Sequence, residues 1–168
     1  CQWATALGAT VIGTVSTDEK AELARAHGCD HPVVYSRQDF VAEVDRITGG
    51  AKVPVVYDSV GRGTFMRSLD CLAPRGLMVS FGNASGPVEP FSPLLLAQKG
   101  SLFLTRPTLF NYIAAREDLE CAAGELFDVV SSGKVRIEIG QRYALKDAVE
   151  AHRALEARRT SGSTVLTL

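Results

Sequence analysis

Between Thr10 and Thr105 the chain alternates short apolar runs with amphipathic stretches, and no other feature restricts its fold so strongly. Thr10-Val-Ile-Gly-Thr-Val15 reads as a buried strand, and Asp18 to His27 as a helix stopped by Gly28. A strand at Pro32-Val-Val-Tyr35 leads to a helix from Asp39 to Thr48 closed by Gly49-Gly50. The strand Val53-Pro-Val-Val-Tyr57 runs into Asp58-Ser-Val-Gly61, and a helix from Thr64 to Leu72 ends at Pro74-Arg-Gly76. Leu77-Met-Val-Ser-Phe81 is the next strand, followed by a loop over Gly82 to Pro93, a short helix near Leu94 to Gln98 and a strand at Ser101-Leu-Phe-Leu-Thr105. Strands that alternate with helices in this way imply an α/β fold, a doubly wound parallel sheet covered on both faces. Such sheets bind ligands outside the carboxyl ends of their strands.

The rhythm changes after Thr105. A long helix is predicted from about Tyr112 to Ser131, with Leu119, Ala122, Ala123, Leu126, Phe127 and Val130 at helical spacing. Lys134 to Leu145 reads as extended, Asp147 to Arg158 as an amphipathic helix and Ser163 to Leu168 as a last strand. At the other end, Cys1-Gln-Trp-Ala-Thr-Ala-Leu-Gly8 has no initiator Met and reads as the last two turns of a helix ended by Gly8, so a preceding segment is expected.

Charge and cysteine usage remove several function classes. The 18 basic and 19 acidic residues are spread along the chain with no like-charged run, which argues against nucleic acid and membrane as partners. Cys1, Cys29, Cys71 and Cys121 form no C-x-x-C pair and the three histidines do not cluster with them, so no zinc site is expected. Cys71 and Cys121 lie in helical patterns among apolar neighbours and are expected as buried thiols of a reducing compartment. With no signal peptide and no apolar run of roughly 18 residues, the expected location is cytoplasmic.

Four strand ends carry candidate binding residues. The first runs into Ser16-Thr17, where a site for NAD usually has an acid, and Lys20 follows one turn into the helix. An ammonium there pairs with a ribose 2′-phosphate, which favours NADP; the competing reading has Asp18 as a plain helix cap and Lys20 as a solvated charge. Tyr35 offers a ring to an adenine, or is an ordinary half-buried edge tyrosine. Gly61-Arg-Gly63 imitates the start of a phosphate loop, but Met66 stands where a third glycine belongs, so it reads as a βα turn with Val60 lining a groove. At Phe81-Gly82-Asn83 the glycine permits close approach of a ring and the amide suits a carboxamide or carbonyl; a plain turn explains them as well.

The segments Tyr57-Asp-Ser-Val-Gly61, Arg75-Gly-Leu-Met-Val-Ser-Phe-Gly-Asn83 and Gln98-Lys-Gly-Ser-Leu-Phe-Leu-Thr-Arg-Pro107 strongly resemble bacterial NADPH:quinone oxidoreductases. These are zinc-independent, zeta-crystallin-like members of the medium-chain dehydrogenase/reductase superfamily, and the resemblance runs from Cys1-Gln-Trp-Ala to Gly162-Ser163. It implies a Rossmann-type sheet with Ser16 and Lys20 at the 2′-phosphate and Tyr35 beside them. It further implies Val60 at the nicotinamide ribose, Phe81, Gly82, Asn83 and Ala84 along the nicotinamide half, Pro107, Thr108 and Leu109 as a ledge, and Arg158 reaching the cofactor. Arg153 and Arg159 suit the C-terminal end of their helix instead.

Two departures follow from the same resemblance. The family's glycine-rich turn and the strand before it would lie upstream of Cys1, as would the catalytic domain, so the chain corresponds to the cofactor-binding portion only. The strand in question belongs between the Thr10 and Val53 strands, and a gap in the middle of the sheet is expected. The implied division is a cofactor domain over residues 1–132 and a segment over 133–168 that packs on the catalytic side. The implied activity is hydride transfer from NADPH to a quinone, with a homodimer formed through the Ser101 to Thr105 edge strand. An NADPH-dependent enone or enoyl reductase, or a non-catalytic crystallin-like NADPH-binding protein, are the alternatives. A methyltransferase sheet would want an acid where Ser16 stands.

Overall fold

The computed structural model describes residues 1–157 and 159–168. The first part runs α1 (Gln2–Ala6), β1 (Ile12–Val15), α2 (Asp18–Ala26), β2 (His31–Val34), α3 (Phe40–Thr48), β3 (Val53–Asp58), α4 (Phe65–Asp70), β4 (Leu72–Ser80), α5 (Leu94–Gln98) and β5 (Phe103–Thr105). It continues through α6 (Leu109–Tyr112), α7 (Arg116–Ser131), β6 (Ile139–Ala144), a 3₁₀ turn (Leu145–Asp147), α8 (Ala148–Glu156) and β7 (Ser163–Thr167).

All observed strand pairs are parallel, as the βα alternation requires. β1 pairs with β2, and β3, β4 and β5 form a second sheet in that order. Among the described residues no strand pairs between β1 and β3, which is the expected interruption. The two sheets nevertheless share a core. Val33 of β2, Phe40 and Val44 of α3 and Cys71 pack with Ile12 of β1 and with Val53 and Val56 of β3. Phe65, Leu69, Leu72, Met78 and Leu102 make the other buried cluster, against which Val53 and Val56 also pack. Fully burying each aliphatic side chain of this kind stabilises the fold by roughly 1.5–3 kcal/mol.

The helices begin and end for local reasons. Asp39 accepts hydrogen bonds from Val41 and Ala42 N–H as the N-cap of α3, and Gly49 takes the left-handed conformation that closes it. These bonds hold the Asp39 carboxyl below the usual aspartate range, helped by Arg67, which also lies 4.4 Å over the Phe40 ring. α2 is capped by Thr17, not Asp18: the Thr17 hydroxyl accepts from Lys20 N–H, and Asp18 pairs instead with Arg37.

Three expectations need correction. β4 starts at Leu72 rather than Leu77, because Leu72 pairs with Val53 across an irregularity in register and Arg75 crosses it at φ 63°. The predicted helix from Tyr112 is two helices separated by 113–115, and no residue of α7 is buried. Cys121, expected as a buried thiol, is therefore exposed, whereas Cys71 and Cys29 are buried; all four cysteines are free. No helix of the described residues is long and apolar enough to cross a membrane.

Candidate functional site

The carboxyl ends of the strands gather the candidate residues into two groups. At β1 and β2, Tyr35 N–H donates to Val15 carbonyl (3.0 Å) and the Ser36 hydroxyl donates to the Ser16 carbonyl (3.1 Å), so Ser16 and Tyr35 lie side by side. Lys20 sits in the first turn of α2 just beyond them. The Tyr35 ring is half-exposed, as a stacking surface must be.

The second group is built from two loops that close on each other. The turn from β3 to α4 carries Val60, and the loop after β4 carries Phe81, Gly82, Asn83 and Ala84. Phe81 N–H donates to Asp58 carbonyl (2.9 Å), Ala84 N–H to Ser59 carbonyl (3.1 Å) and Ser85 N–H to Val60 carbonyl (2.8 Å). A β-carbon built on Gly61 falls 2.6 Å from the Gly86 carbonyl oxygen, and one on Gly82 falls 2.7 Å from Ser59 Cα. The backbone of Ser59 leaves no room for a side chain at Gly82, a close approach that the sequence did not reveal. Gly61-Arg-Gly63 is the βα turn that sequence reading takes it for.

The ledge lies alongside. Arg106 donates from its guanidinium to the Ser80 carbonyl (2.8 Å), tying the end of β5, which Pro107, Thr108 and Leu109 follow, to the end of β4, which Phe81 follows. Thr108 is the N-cap residue of α6, and Leu109 is largely exposed. Arg158 lies outside the described residues. Three residues that build this end of the sheet were not singled out from sequence: Asp58, Ser85 and Arg106. The signal for Asp58 was its place directly after an apolar strand and before a Ser-Val-Gly turn, where a carboxylate meets freed backbone N–H groups.

Electrostatics mark Asp58 as the unusual group. It is 4% exposed. Burial pushes its carboxyl up, but hydrogen bonds from Gly61 N–H, the Thr64 and Ser68 hydroxyls and Val60 N–H outweigh burial, and its pKa lies below the ordinary aspartate value. Burial, helped by the neighbouring Asp70 carboxylate, lifts the Cys71 thiol to about 11, which makes it inert rather than nucleophilic.

The two clearest concavities lie elsewhere. One of about 380 Å³ sits between α3 and Lys52, and one of about 490 Å³ between Gln2, His27 and Lys134. The first runs along α3 from Asp39 to Lys52 and the second lies by Gly28 ahead of β2, and neither is lined by a residue of the two strand-end groups.

Comparison with known proteins places this geometry. The family model described as zinc-binding dehydrogenase matches residues 1–128. The quinone oxidoreductase of Pseudomonas aeruginosa is 57% identical over 166 residues, covering 99% of this chain and 51% of that protein. The 2-haloacrylate reductase of a Burkholderia species is 48% identical over 165 residues, covering 98% and 50%. The crystal structure of Escherichia coli quinone oxidoreductase complexed with NADPH superposes with a TM-score of 0.96 at 52% identity, over 100% of this chain and 52% of that one. The chain spans about half the length of the relatives it matches. Zinc stands in the family description, yet the described residues bring together no group of three or more His, Cys, Asp or Glu that would hold a metal.

Proposed function

We propose a function from one premise: the chain belongs to the zinc-binding dehydrogenase family. Within the whole protein it supplies most of an NADPH site, and the reaction is reduction of a quinone by hydride transfer. The observation that carries this reading is a row of exposed apolar side chains across the carboxyl ends of β2 to β5, namely Tyr35, Val60, Phe81 and Leu109. Soluble surfaces seldom align such groups without a ligand to cover them. An extended dinucleotide with a flat ring at each end fits the row, and the NADPH complex of the E. coli relative supports that choice.

When bound, the dihydronicotinamide supplies the hydride. This chain's residues bind and orient. The Ser16 hydroxyl and the Lys20 ammonium hold the 2′-phosphate and Tyr35 covers the adenine. Val60 flanks the second ribose, while Phe81, Gly82, Asn83, Ala84, Pro107, Thr108 and Leu109 bound the nicotinamide half and exclude water from one side of it. Arg158 keeps its assignment as a further cofactor contact. Residues 133–168 belong to the catalytic side of the molecule: β6 and β7 form a sheet of their own, and Ile139, Leu145, Val149 and Leu166 near it are exposed.

A second reading takes an electron-poor alkene, such as an enone or a haloacrylate, as acceptor; the 2-haloacrylate reductase relative favours it. NADPH oxidation by the full-length protein, measured with a quinone series and with 2-haloacrylates, separates the two. Quinone turnover well above that of the acrylates is expected. NADPH binding with turnover of no acceptor would leave a non-catalytic, crystallin-like NADPH-binding protein.

The same reading makes the protein a cytoplasmic homodimer. Among the described residues β5 pairs only with β4, and Phe103 and Leu104 on it are exposed at 62% and 38%, a liability unless a second copy extends the sheet. Light scattering at micromolar concentration is expected to return twice the chain mass; a monomer would count against the edge pairing.

A further inference from the structure

We propose that Asp58 is a positioning residue for the nicotinamide half of the cofactor site, acting through the β3–α4 turn on the loop that follows β4. The proposal rests on the NADPH reading given above. Asp58 Oδ1 accepts from Val60 N–H (2.8 Å) and Gly61 N–H (3.0 Å), and Oδ2 accepts from the Thr64 hydroxyl (2.7 Å) and the Ser68 hydroxyl (2.8 Å). Four donors converge on one carboxylate, and all of them come from the turn or from the start of α4. The carboxylate is buried under the turn, so whatever it does to a ligand it does through Val60 and Gly61.

What the turn holds is the 81–86 loop. Besides the strand-end bonds from Phe81, Ala84 and Ser85 N–H, Arg62 N–H donates to the Gly86 carbonyl (3.1 Å). The Ser85 hydroxyl closes the outer side, donating to the Val60 carbonyl (2.8 Å) and accepting from Gly63 N–H (2.9 Å). Val60 and the residues from Phe81 to Ala84 are therefore one hydrogen-bonded unit with Asp58 beneath it and Ser85 outside it. Ser16 and Tyr35 directly follow β1 and β2 and Lys20 lies in α2, and among the described residues the β1–β2 sheet is not strand-paired with this one. Loosening the unit should act on one end of the dinucleotide and spare the other.

That asymmetry is the test. Affinities for NADPH and for 2′,5′-ADP, which carries only the adenosine end with its phosphate, are measured on the full-length wild-type protein, Asp58→Ala, Asp58→Asn and Ser85→Ala. Losing two backbone anchors in Asp58→Ala is expected to weaken NADPH about tenfold or more, with 2′,5′-ADP unchanged within about twofold. Asp58→Asn should recover most of that loss, since its amide oxygen still accepts from Val60 and Gly61 N–H. Ser85→Ala, exposed and safe for folding, is expected to weaken NADPH by about threefold with the same selectivity, and it decides the matter if Asp58→Ala does not fold. Unchanged NADPH affinity in Ser85→Ala and in any folded Asp58→Ala, or parallel weakening of both ligands, would overturn the proposal. If the wild-type protein bound neither ligand, the cofactor reading itself would fall, and this inference with it.

Discussion

Alanine at Gly82 is expected to destabilise the protein by about 3 kcal/mol and to weaken NADPH by at least about tenfold, the upper part of the usual range for overpacking. The reason is geometric. The added methyl group would stand 2.7 Å from Ser59 Cα, 2.9 Å from its carbonyl carbon and closer still to its carbonyl oxygen. All three are backbone atoms at the end of a paired strand, so no rotamer change relieves the overlap. The loop must lift, and lifting it breaks the bonds from Phe81 and Ala84 N–H to Asp58 and Ser59. Gly124→Ala is the matched control: it lies inside α7 with no atom within 4 Å of the new methyl group, and it should stabilise by roughly 0.5–1 kcal/mol. Denaturant titration of both variants, with NADPH binding on the folded protein, checks this. A Gly82→Ala protein as stable and as tightly binding as the parent would mean that the two loops need not approach so closely.

Gly82 also shows where reading the sequence stops. Its smallness was legible, and so was its place at a strand end, but the group it makes room for was not. The partner, Ser59, lies over twenty residues away, and only the register Asp58↔Ser80 brings the two together. The strands and helices from β1 to β5 were legible because each apolar run ends at a cap or glycine, as Asp39 and Gly49 do for α3. β4 was misread at its start for the opposite reason. Pro74-Arg-Gly76 has the composition of a turn, yet it lies inside β4 as an irregularity between the paired residues Leu72 and Leu77, with Arg75 N–H held by the Gly100 carbonyl. Cys121 was misplaced because helical periodicity shows which residues share a face, not whether anything covers that face. α7 has the stripe but buries none of it among the described residues. Asp58 was hidden in plain view: a charged residue at a strand end reads as solvated, and the four donors that satisfy it come from a turn whose shape the sequence does not specify.

Lys20→Ala is expected to abolish most of the preference for NADPH over NADH while leaving NADH affinity unchanged. A charge-assisted bond to the 2′-phosphate is worth roughly 1.5–3 kcal/mol, or about ten- to a hundredfold in the ratio of the two affinities. The surrounding charge makes the lysine necessary rather than merely helpful. Asp18 and Glu19 open α2, where negative charge suits the helix but repels a phosphate. The Glu19 carboxylate accepts from its own backbone N–H and from the Thr17 hydroxyl, which lowers its pKa. Asp18 is compensated by its ion pair with Arg37. On the proposed reading, Lys20 in the same turn is the cation that would meet the phosphate. The preference should also shrink as salt is raised, because these groups are solvent-exposed. Calorimetric titration of the full-length protein and the variant with both nucleotides gives the answer. Loss of the preference with NADH binding intact places the phosphate at this turn. Preference retained in full would remove Lys20 from the site and direct attention to Arg37, which the ion pair with Asp18 sets beside the same helix start.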